Sequence, residues 1–107
     1  MIEKINLASS ASDITDYWQP KTVSTLNNQE VKLARFYGEF TWHKHAQEDE
    51  CFLVLEGSFD MHLRNEVITL NKGELITIPK GVEHKPVAAQ PALVLLFEPA
   101  TTKKRGD

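Results

Sequence analysis

Three histidines and one glutamate in this sequence have the residue types and spacing of a transition-metal site. His43 and His45 flank a single residue in the segment Trp42-His43-Lys44-His45. On a strand, their side chains would share one face and their Cα atoms would lie about 6–7 Å apart. Two imidazoles at this separation can bind one ion through metal–nitrogen bonds of about 2.0–2.1 Å. The pair therefore predicts one half of a metal centre.

Glu50 and His84 supply the other half of the predicted centre. Glu50 begins an apolar strand after the acidic turn 47–49, and a hairpin would bring it beside the histidine pair. His84 follows Pro79 and Gly81, which favour a rigid turn that aims one side chain inward. Three nitrogen donors and one carboxylate suit Fe(II), Mn(II), Ni(II), Co(II) or Zn(II) better than Ca²⁺ or Mg²⁺. In an octahedron, four protein ligands leave two positions open for a substrate, as in catalytic metal sites.

Other polar residues near these positions have simpler interpretations. Glu48 and Asp49 compete with Glu50 as the carboxylate ligand, although a solvated turn explains both. His62 falls on the polar parity of its strand and is expected at the surface. Cys51 is expected to be a buried, inert thiol, and there is no Ser-His-acid arrangement, so no catalytic residue is assigned.

Strand parity also predicts the walls of a pocket. Phe52 and Val54 alternate in phase with Glu50 and are therefore candidate substrate-binding residues. Trp42 alternates away from the two histidines and is expected in the core or at a dimer face. Phe40 shares the parity of Trp42.

The elements that would position these residues are short strands separated by turns. A helical turn capped by Ser12 or Asp13 is predicted to run to Trp18, and no later segment has helical periodicity. Asn65-Glu66 and the segment 71–73 have the composition of tight hairpin turns. Such a pattern predicts an all-β sandwich or barrel. The predicted strands are 31–36, 40–45, 51–56, 59–64, 67–70, 74–78 and 92–97.

The predicted ligands and their flanking residues resemble the two motifs of the cupin superfamily. Gly38-x4-His43-x-His45-x4-Glu50-x6-Gly57 matches the first motif, with the first spacing one residue short. Gly73-x5-Pro79-x-Gly81-x2-His84 matches the second, with Ala88 in place of a final asparagine. The resemblance favours Glu50 over its acidic neighbours as the carboxylate ligand. The chain is similar in particular to the small single-domain cupins described as mannose-6-phosphate-isomerase-like.

This resemblance implies a small double-stranded β-barrel of the jelly-roll type, commonly a homodimer. The expected organisation is an N-terminal extension of residues 1–30, a barrel of residues 31–98 and a C-terminal tail of residues 99–107. The basic run 103–105 in that tail is expected to be solvated. The implied cofactor is one divalent transition metal.

Composition excludes several other classes of protein. The 107 residues suffice for one domain, and a net charge of −3 argues against a nucleic-acid partner. The single cysteine excludes an internal disulfide, and no apolar run approaches the roughly 20 residues of a membrane span. A cytoplasmic protein with a small-molecule ligand is therefore expected.

Three functions are compatible with these residues. The first is a metal-dependent isomerase, dioxygenase or lyase that acts on a sugar-like or carboxylate-containing molecule. The alternatives are a non-catalytic sensor or storage module and a metal that only stabilises the barrel. A phosphosugar needs a cationic clamp or a backbone nest for its phosphate, and only Arg35 and Arg64 are candidates for a clamp.

Overall fold

The computed structural model describes residues 2–107 and contains mostly strands. One short helix precedes seven strands in this part of the chain. The elements are α1 (Leu7–Ser12), β1 (Lys21–Leu26), β2 (Gln29–Glu39), β3 (Glu50–Glu56), β4 (Ser58–Leu63), β5 (Val67–Asn71), β6 (Leu75–Ile78) and β7 (His84–Pro99).

The strands form the all-β jelly roll that the sequence predicts. They pair in the order β1-β2-β7-β3-β6, while β4 pairs with both β5 and β7. The long strand β7 pairs with β2 along most of its length, with β4 near its start and with β3 towards its end, so it joins both halves of the fold. Gly57 separates β3 from β4 with a φ of +79°, and a Cβ there would lie 2.8 Å from the carbonyl oxygen of Pro91. This tight turn therefore requires glycine.

Alternate residues of the paired strands fill the interior of the barrel. The ring of Phe36 contacts those of Phe52 and Phe59 edge-on, with centroid distances of 6.4 and 5.2 Å, and the latter two rings lie 6.1 Å apart. Val54 and Met61 are fully buried beside them. This apolar interior follows the period of two that the sequence shows in these strands.

The N-terminal helix differs from the prediction. The helical turn expected from Ser12 or Asp13 to Trp18 is wrong, because α1 ends at Ser12 and begins after Asn6. The Asn6 side chain accepts a hydrogen bond from the amide of Ser9 and thereby caps the helix. Short polar residues can cap either end of a helix, so composition alone placed the cap at the wrong end.

Arg35 fastens this N-terminal segment to the barrel. Its Nε donates to the carbonyl oxygen of Ile14 and its Nη2 to that of Ala11, each at 2.8 Å. Ala11 and Ile14 pack with Leu33 and Leu93 in a second apolar cluster on the outer face of the sheet. The helix therefore covers part of a face that would otherwise be exposed.

Two other local predictions are wrong. Residues 40–45 form a loop rather than a strand, with one isolated bridge at His43. The turn at 71–73 exists, but it joins β5 to β6, which pair with β4 and β3 respectively rather than with each other. The turn at Asn65-Glu66 closes the predicted hairpin between β4 and β5.

The sheet begins before the predicted start of the barrel at residue 31. Strand β1 lies within segment 1–30 and pairs with β2. The division into extension, barrel and tail stays a prediction, as do the homodimer and the absence of nucleic-acid and membrane partners. Within residues 2–107, no helix has the length and apolar character needed to cross a bilayer.

Candidate metal centre

The four predicted ligands come from three separate parts of the fold. His43 and His45 lie in the loop after β2, Glu50 is the first residue of β3, and His84 is the first residue of β7. The amide of His43 donates to the carbonyl oxygen of His84 at 3.1 Å, and the amide of His84 donates back at 2.9 Å. The loop is therefore fixed by the start of β7. The hairpin expected between residues 40–45 and the strand at Glu50 does not form.

The structure brings these four side chains together around one point. One ligand atom from each of His43, His45, Glu50 and His84 lies within 4.8 Å of the others. The Oε1 atom of Glu50 is 3.2 Å from Nε2 of His45 and 3.3 Å from Nε2 of His84. All but the half-buried His43 are buried, so the donors are shielded from bulk water.

Hydrogen bonds to the backbone orient two of the rings. Nδ1 of His43 lies 2.9 Å from the carbonyl oxygen of Thr41, and Nδ1 of His84 lies 2.9 Å from that of Val82. A carbonyl only accepts, so each Nδ1 carries the proton and each Nε2 keeps a lone pair for a metal. Both bonds span two residues, which gives the two loops the same local arrangement.

His45 provides the test of whether a metal fits. Its two ring nitrogens are buried, and neither has a partner with hydrogen-bond geometry within residues 2–107. Buried polar atoms without partners are costly. A divalent ion beside Nε2 would satisfy one of them and would be neutralised in part by Glu50. The residues present therefore fit a metal of the kind that prefers imidazole and carboxylate donors.

The charges in the cluster are strongly coupled. Burial raises the pKa of Glu50, but the imidazoles of His45 and His84 beside its carboxylate outweigh burial, so that the pKa is lowered. Burial lowers the pKa of His45, yet the carboxylate of Glu50 raises it further and the net shift is upward. Burial lowers the pKa of His43 more than the carbonyl of Thr41 raises it. Glu50 is thus held ionised, as a ligand must be.

Glu98, near the end of β7, is a functional candidate that the sequence analysis missed. It is 3% exposed, lies against Glu50, and its Oε2 is 3.5 Å from Nζ of Lys32. Burial and the neighbouring Glu50 raise the pKa of Glu98 to about 8. The neutral form of Glu98 is therefore favoured beside the ionised carboxylate of Glu50. Glu98 alternates in phase with Val94 and Leu96 along the strand. This alternation is the sequence signal for its burial, because side chains at alternate positions share one face.

A cavity of about 50 Å³ opens beside the cluster. Phe52 lines it, and its ring centroid lies 6.2 Å from that of His84; its role in binding a substrate stays a prediction. Val54 lies in the core and does not contribute to the lining. Most of the lining is apolar, and the polar groups are few. The lining residues are Trp18, Pro20, Lys32, Ala34, Phe36, Phe40, His43, Glu50, Phe52, Pro86, Leu96, Glu98 and Lys104.

The remaining acidic candidates lie outside the cluster. Glu48 is buried, and its Oε2 accepts a hydrogen bond from Thr101 at 2.8 Å. Asp49 is exposed and accepts a hydrogen bond from the amide of Lys80 at 2.8 Å. His62 lies on β4 and is not part of the four-residue group.

The expected positions of the aromatic and basic residues change because residues 40–45 are not a strand. Trp42 is half-buried at the surface under the guanidinium of Arg64, 3.8 Å from its ring centroid. Phe40 lines the cavity, and its ring centroid lies 5.3 Å from that of His43. Arg64 also pairs with Glu83, and Arg35 donates to the carbonyl oxygen of Ile14. Neither arginine lines the cavity.

A C-terminal strap, defined as residues 101–107, packs against the ligand loop. The amide of Asp107 donates to the carbonyl oxygen of Lys44 at 3.0 Å, and the amide of Ala46 donates to Oδ2 of Asp107 at 2.6 Å. Gly106 lies against His43 and Lys44. The basic side chains of the strap are exposed, as predicted, but its backbone is anchored rather than solvated.

Comparisons with known proteins agree with this fold. A family model described as a cupin domain matches residues 25–98. An uncharacterized protein of Bacillus subtilis (strain 168), YdbB, is 35% identical over 81 residues, which are 75% of this chain and 72% of that protein. A crystal structure of a cupin-2 domain containing protein from Shewanella frigidimarina NCIMB 400 superposes with a TM-score of 0.88 and 41% identity. That match covers 89% of this chain and 93% of the other.

The chain also resembles part of a protein named as a dioxygenase. Acireductone dioxygenase of Xenopus tropicalis is 41% identical over 66 residues, which are 57% of this chain. The chain spans only 35% of that enzyme.

Proposed function

The chain belongs to the cupin family, and on this premise we propose that it is a divalent-transition-metal-dependent enzyme that acts on a small oxygen-bearing molecule. The observation that carries the proposal is the convergence of His43, His45, Glu50 and His84 within 4.8 Å beside a cavity. A purely structural metal would not need that cavity. The ions that fit these donors are Fe, Mn, Ni, Co and Zn in their divalent states.

Each part of the site has a distinct role in this proposal. The three imidazoles and Glu50 would hold the ion, which supplies Lewis acidity towards a substrate oxygen. Glu98 holds a proton next to Glu50 and lines the cavity, so it can donate to or accept from a substrate there. Phe36, Phe40 and Phe52 exclude water from the same space.

Among isomerase, dioxygenase and lyase activities, one observation favours the dioxygenase and a second argues against a phosphosugar isomerase. The likeness to acireductone dioxygenase includes a stretch of 66 residues. In addition, Arg35 and Arg64 are engaged elsewhere and do not clamp a phosphate in the cavity. A phosphosugar isomerase would need such a clamp.

The experiment that tests the proposal begins with metal content. We expect about one transition metal per chain in the wild-type protein, loss of that metal in His45→Ala, and its retention in His62→Ala. The His62 variant is a matched control because it removes a histidine outside the cluster. Equal metal content in both variants would refute the site.

Activity is then measured as oxygen uptake by the metal-loaded protein, with an acireductone as the first substrate. Uptake that requires His45 and not His62 would support the dioxygenase. Tight metal binding and ligand binding without conversion of the substrate would instead indicate the non-catalytic sensor or storage module.

A further inference from the structure

The ionisable side chains that line the cavity lie in two places, at its buried end and at its mouth. Glu50 and Glu98 are buried, whereas Lys104 is exposed and belongs to the C-terminal strap. Nζ of Lys104 lies 3.4 Å from Oε1 of Gln19. Gln19 stands between two lining residues, Trp18 and Pro20, so the lysine side chain reaches across the opening.

The two lysines of the cavity differ in how their charge is balanced. Lys32 lies 3.4 Å from a carboxylate oxygen of Glu30, which balances its charge within the protein, and 3.5 Å from Oε2 of Glu98. Lys104 has only the neutral amide of Gln19 as a side-chain partner within residues 2–107. Arg105 adds a second cation nearby, with its guanidinium carbon 5.3 Å from the ring centroid of Phe40. The mouth is therefore positively charged although the whole chain carries −3.

The space between the two ends has an apolar lining. The indole of Trp18 stacks on the rings of Phe36 and Phe40, with centroid distances of 4.4 and 5.1 Å. Its Nε1 donates to the carbonyl oxygen of Tyr37 at 2.9 Å, so its one polar atom is satisfied outside the cavity. A sugar ring would lose hydrogen bonds to water on entering such a space, whereas a hydrocarbon chain would gain by burial.

We propose that Lys104 binds the anionic group of a small carboxylate whose apolar body packs against Trp18, Phe36 and Phe40. The inference names a substrate class for the site and rests on the proposed function only for the chemistry that follows binding. It distinguishes an apolar-bodied carboxylate from a sugar phosphate, although each carries an anion. The strap thereby contributes a binding residue from outside the predicted barrel of residues 31–98.

The test compares Lys104→Gln with Lys103→Gln in the full chain. Lys103 is an adjacent, exposed lysine that does not line the cavity, so its variant makes the same change in net charge. The probes are 4-methylpentanoate, its neutral analogue 4-methylpentanamide, acetate and glucose 6-phosphate. Dissociation constants are measured by calorimetry with metal-loaded and with metal-stripped protein.

We expect 4-methylpentanoate to bind wild-type protein more tightly than the amide and more tightly than acetate. Lys104→Gln should weaken the carboxylate about fivefold and leave the amide unchanged, as expected for one partly exposed ion pair. Lys103→Gln should have no such effect. The difference should persist in metal-stripped protein, which separates this inference from a failure of metal binding.

Three results would overturn the inference. The first is equal weakening by both lysine variants, which would mean a general charge effect. The second is a carboxylate affinity that does not depend on Lys104 or is absent in the wild type. The third is tighter, Lys104-dependent binding of glucose 6-phosphate, which would replace the apolar carboxylate with a sugar phosphate.

Discussion

Replacement of Gly106 by alanine tests whether the C-terminal strap positions the metal ligands. Gly106 has a φ of +80°, and a Cβ there would overlap the carbonyl oxygen of Lys44 and lie 3.1 Å from Cβ of His43. Both neighbours belong to the ligand loop, so backbone must move. Gly73→Ala is the matched control, because its φ is +83° but no atom lies within 4 Å of the added carbon. Both variants carry the left-handed backbone penalty of about 1–2 kcal/mol.

The contacts of the strap determine how far the free energy of unfolding should differ between Gly106→Ala and Gly73→Ala. Release of the strap breaks the bond from Asp107 to Lys44, worth about 1 kcal/mol, and the charge-assisted bond from Ala46, worth about 1.5–3 kcal/mol. Freed residues regain about 1–2 kcal/mol each of backbone entropy, which offsets much of this loss. The free energy of unfolding should therefore differ between the variants by no more than about 2 kcal/mol.

Metal affinity should separate the variants more clearly. If the strap fixes the loop at His43, Gly106→Ala should weaken metal binding about tenfold relative to Gly73→Ala, the size typical for loss of an outer-sphere contact. Competition with a chelator measures that ratio. Hydrogen exchange of the Ala46 amide, which donates to Asp107, should accelerate only in Gly106→Ala. Equal metal affinity together with unchanged protection of Ala46 would refute the positioning role.

Three further predictions concern the charges of the site. Glu50→Gln should weaken metal binding by more than tenfold while Asp49→Gln leaves it unchanged, since Asp49 accepts a bond from Lys80 outside the cluster; the reverse order in a chelator competition would transfer the ligand role to Asp49. Metal affinity should fall as pH decreases below about 6.5, because the imidazoles must be neutral to bind; equal occupancy at about pH 5 and about pH 8 would exclude a three-histidine site. The pKa of Glu98 is raised from 4.5 to about 8, so the folded, metal-free protein keeps a proton there and loses stability as pH rises through that window. Glu98→Gln should therefore be stabilised relative to wild type by at least about 1 kcal/mol more at about pH 8 than at about pH 4.5, and parallel pH profiles in urea unfolding would contradict this.

The fold and the four clustered side chains follow from patterns that are local in the sequence. Strand alternation identified the β-rich architecture, and the glycine and proline spacing around His84 indicated a turn that aims it inward. The parity of His43 and His45 predicted their convergence even though the segment is a loop. Their positions are fixed by the backbone bonds between His43 and His84, which the intervening sequence does not reveal.

The parts that sequence analysis missed depend on contacts between distant segments. The cap of α1 at Asn6 competes with equally plausible polar residues, and propensity does not decide among them. The anchoring of Asp107 to the ligand loop joins residues far apart in the chain, and no periodic pattern signals such a contact. Strand parity predicts that Phe40 and Trp42 share one face of a strand. They lie in different environments because the loop lacks the alternation of a strand.

The walls of the cavity divide between parts of the chain that face different mutational constraints. Phe36 and Phe52 belong to barrel strands, where each change of volume disturbs the packed interior. Trp18 and Lys104 lie before β1 and after β7, outside the strands that carry Glu50 and His84. Substitution of these two side chains would therefore change the cavity wall without replacing any of the four clustered residues His43, His45, Glu50 and His84. The fold thus keeps the candidate metal ligands and two of the residues that shape the cavity on different parts of the chain.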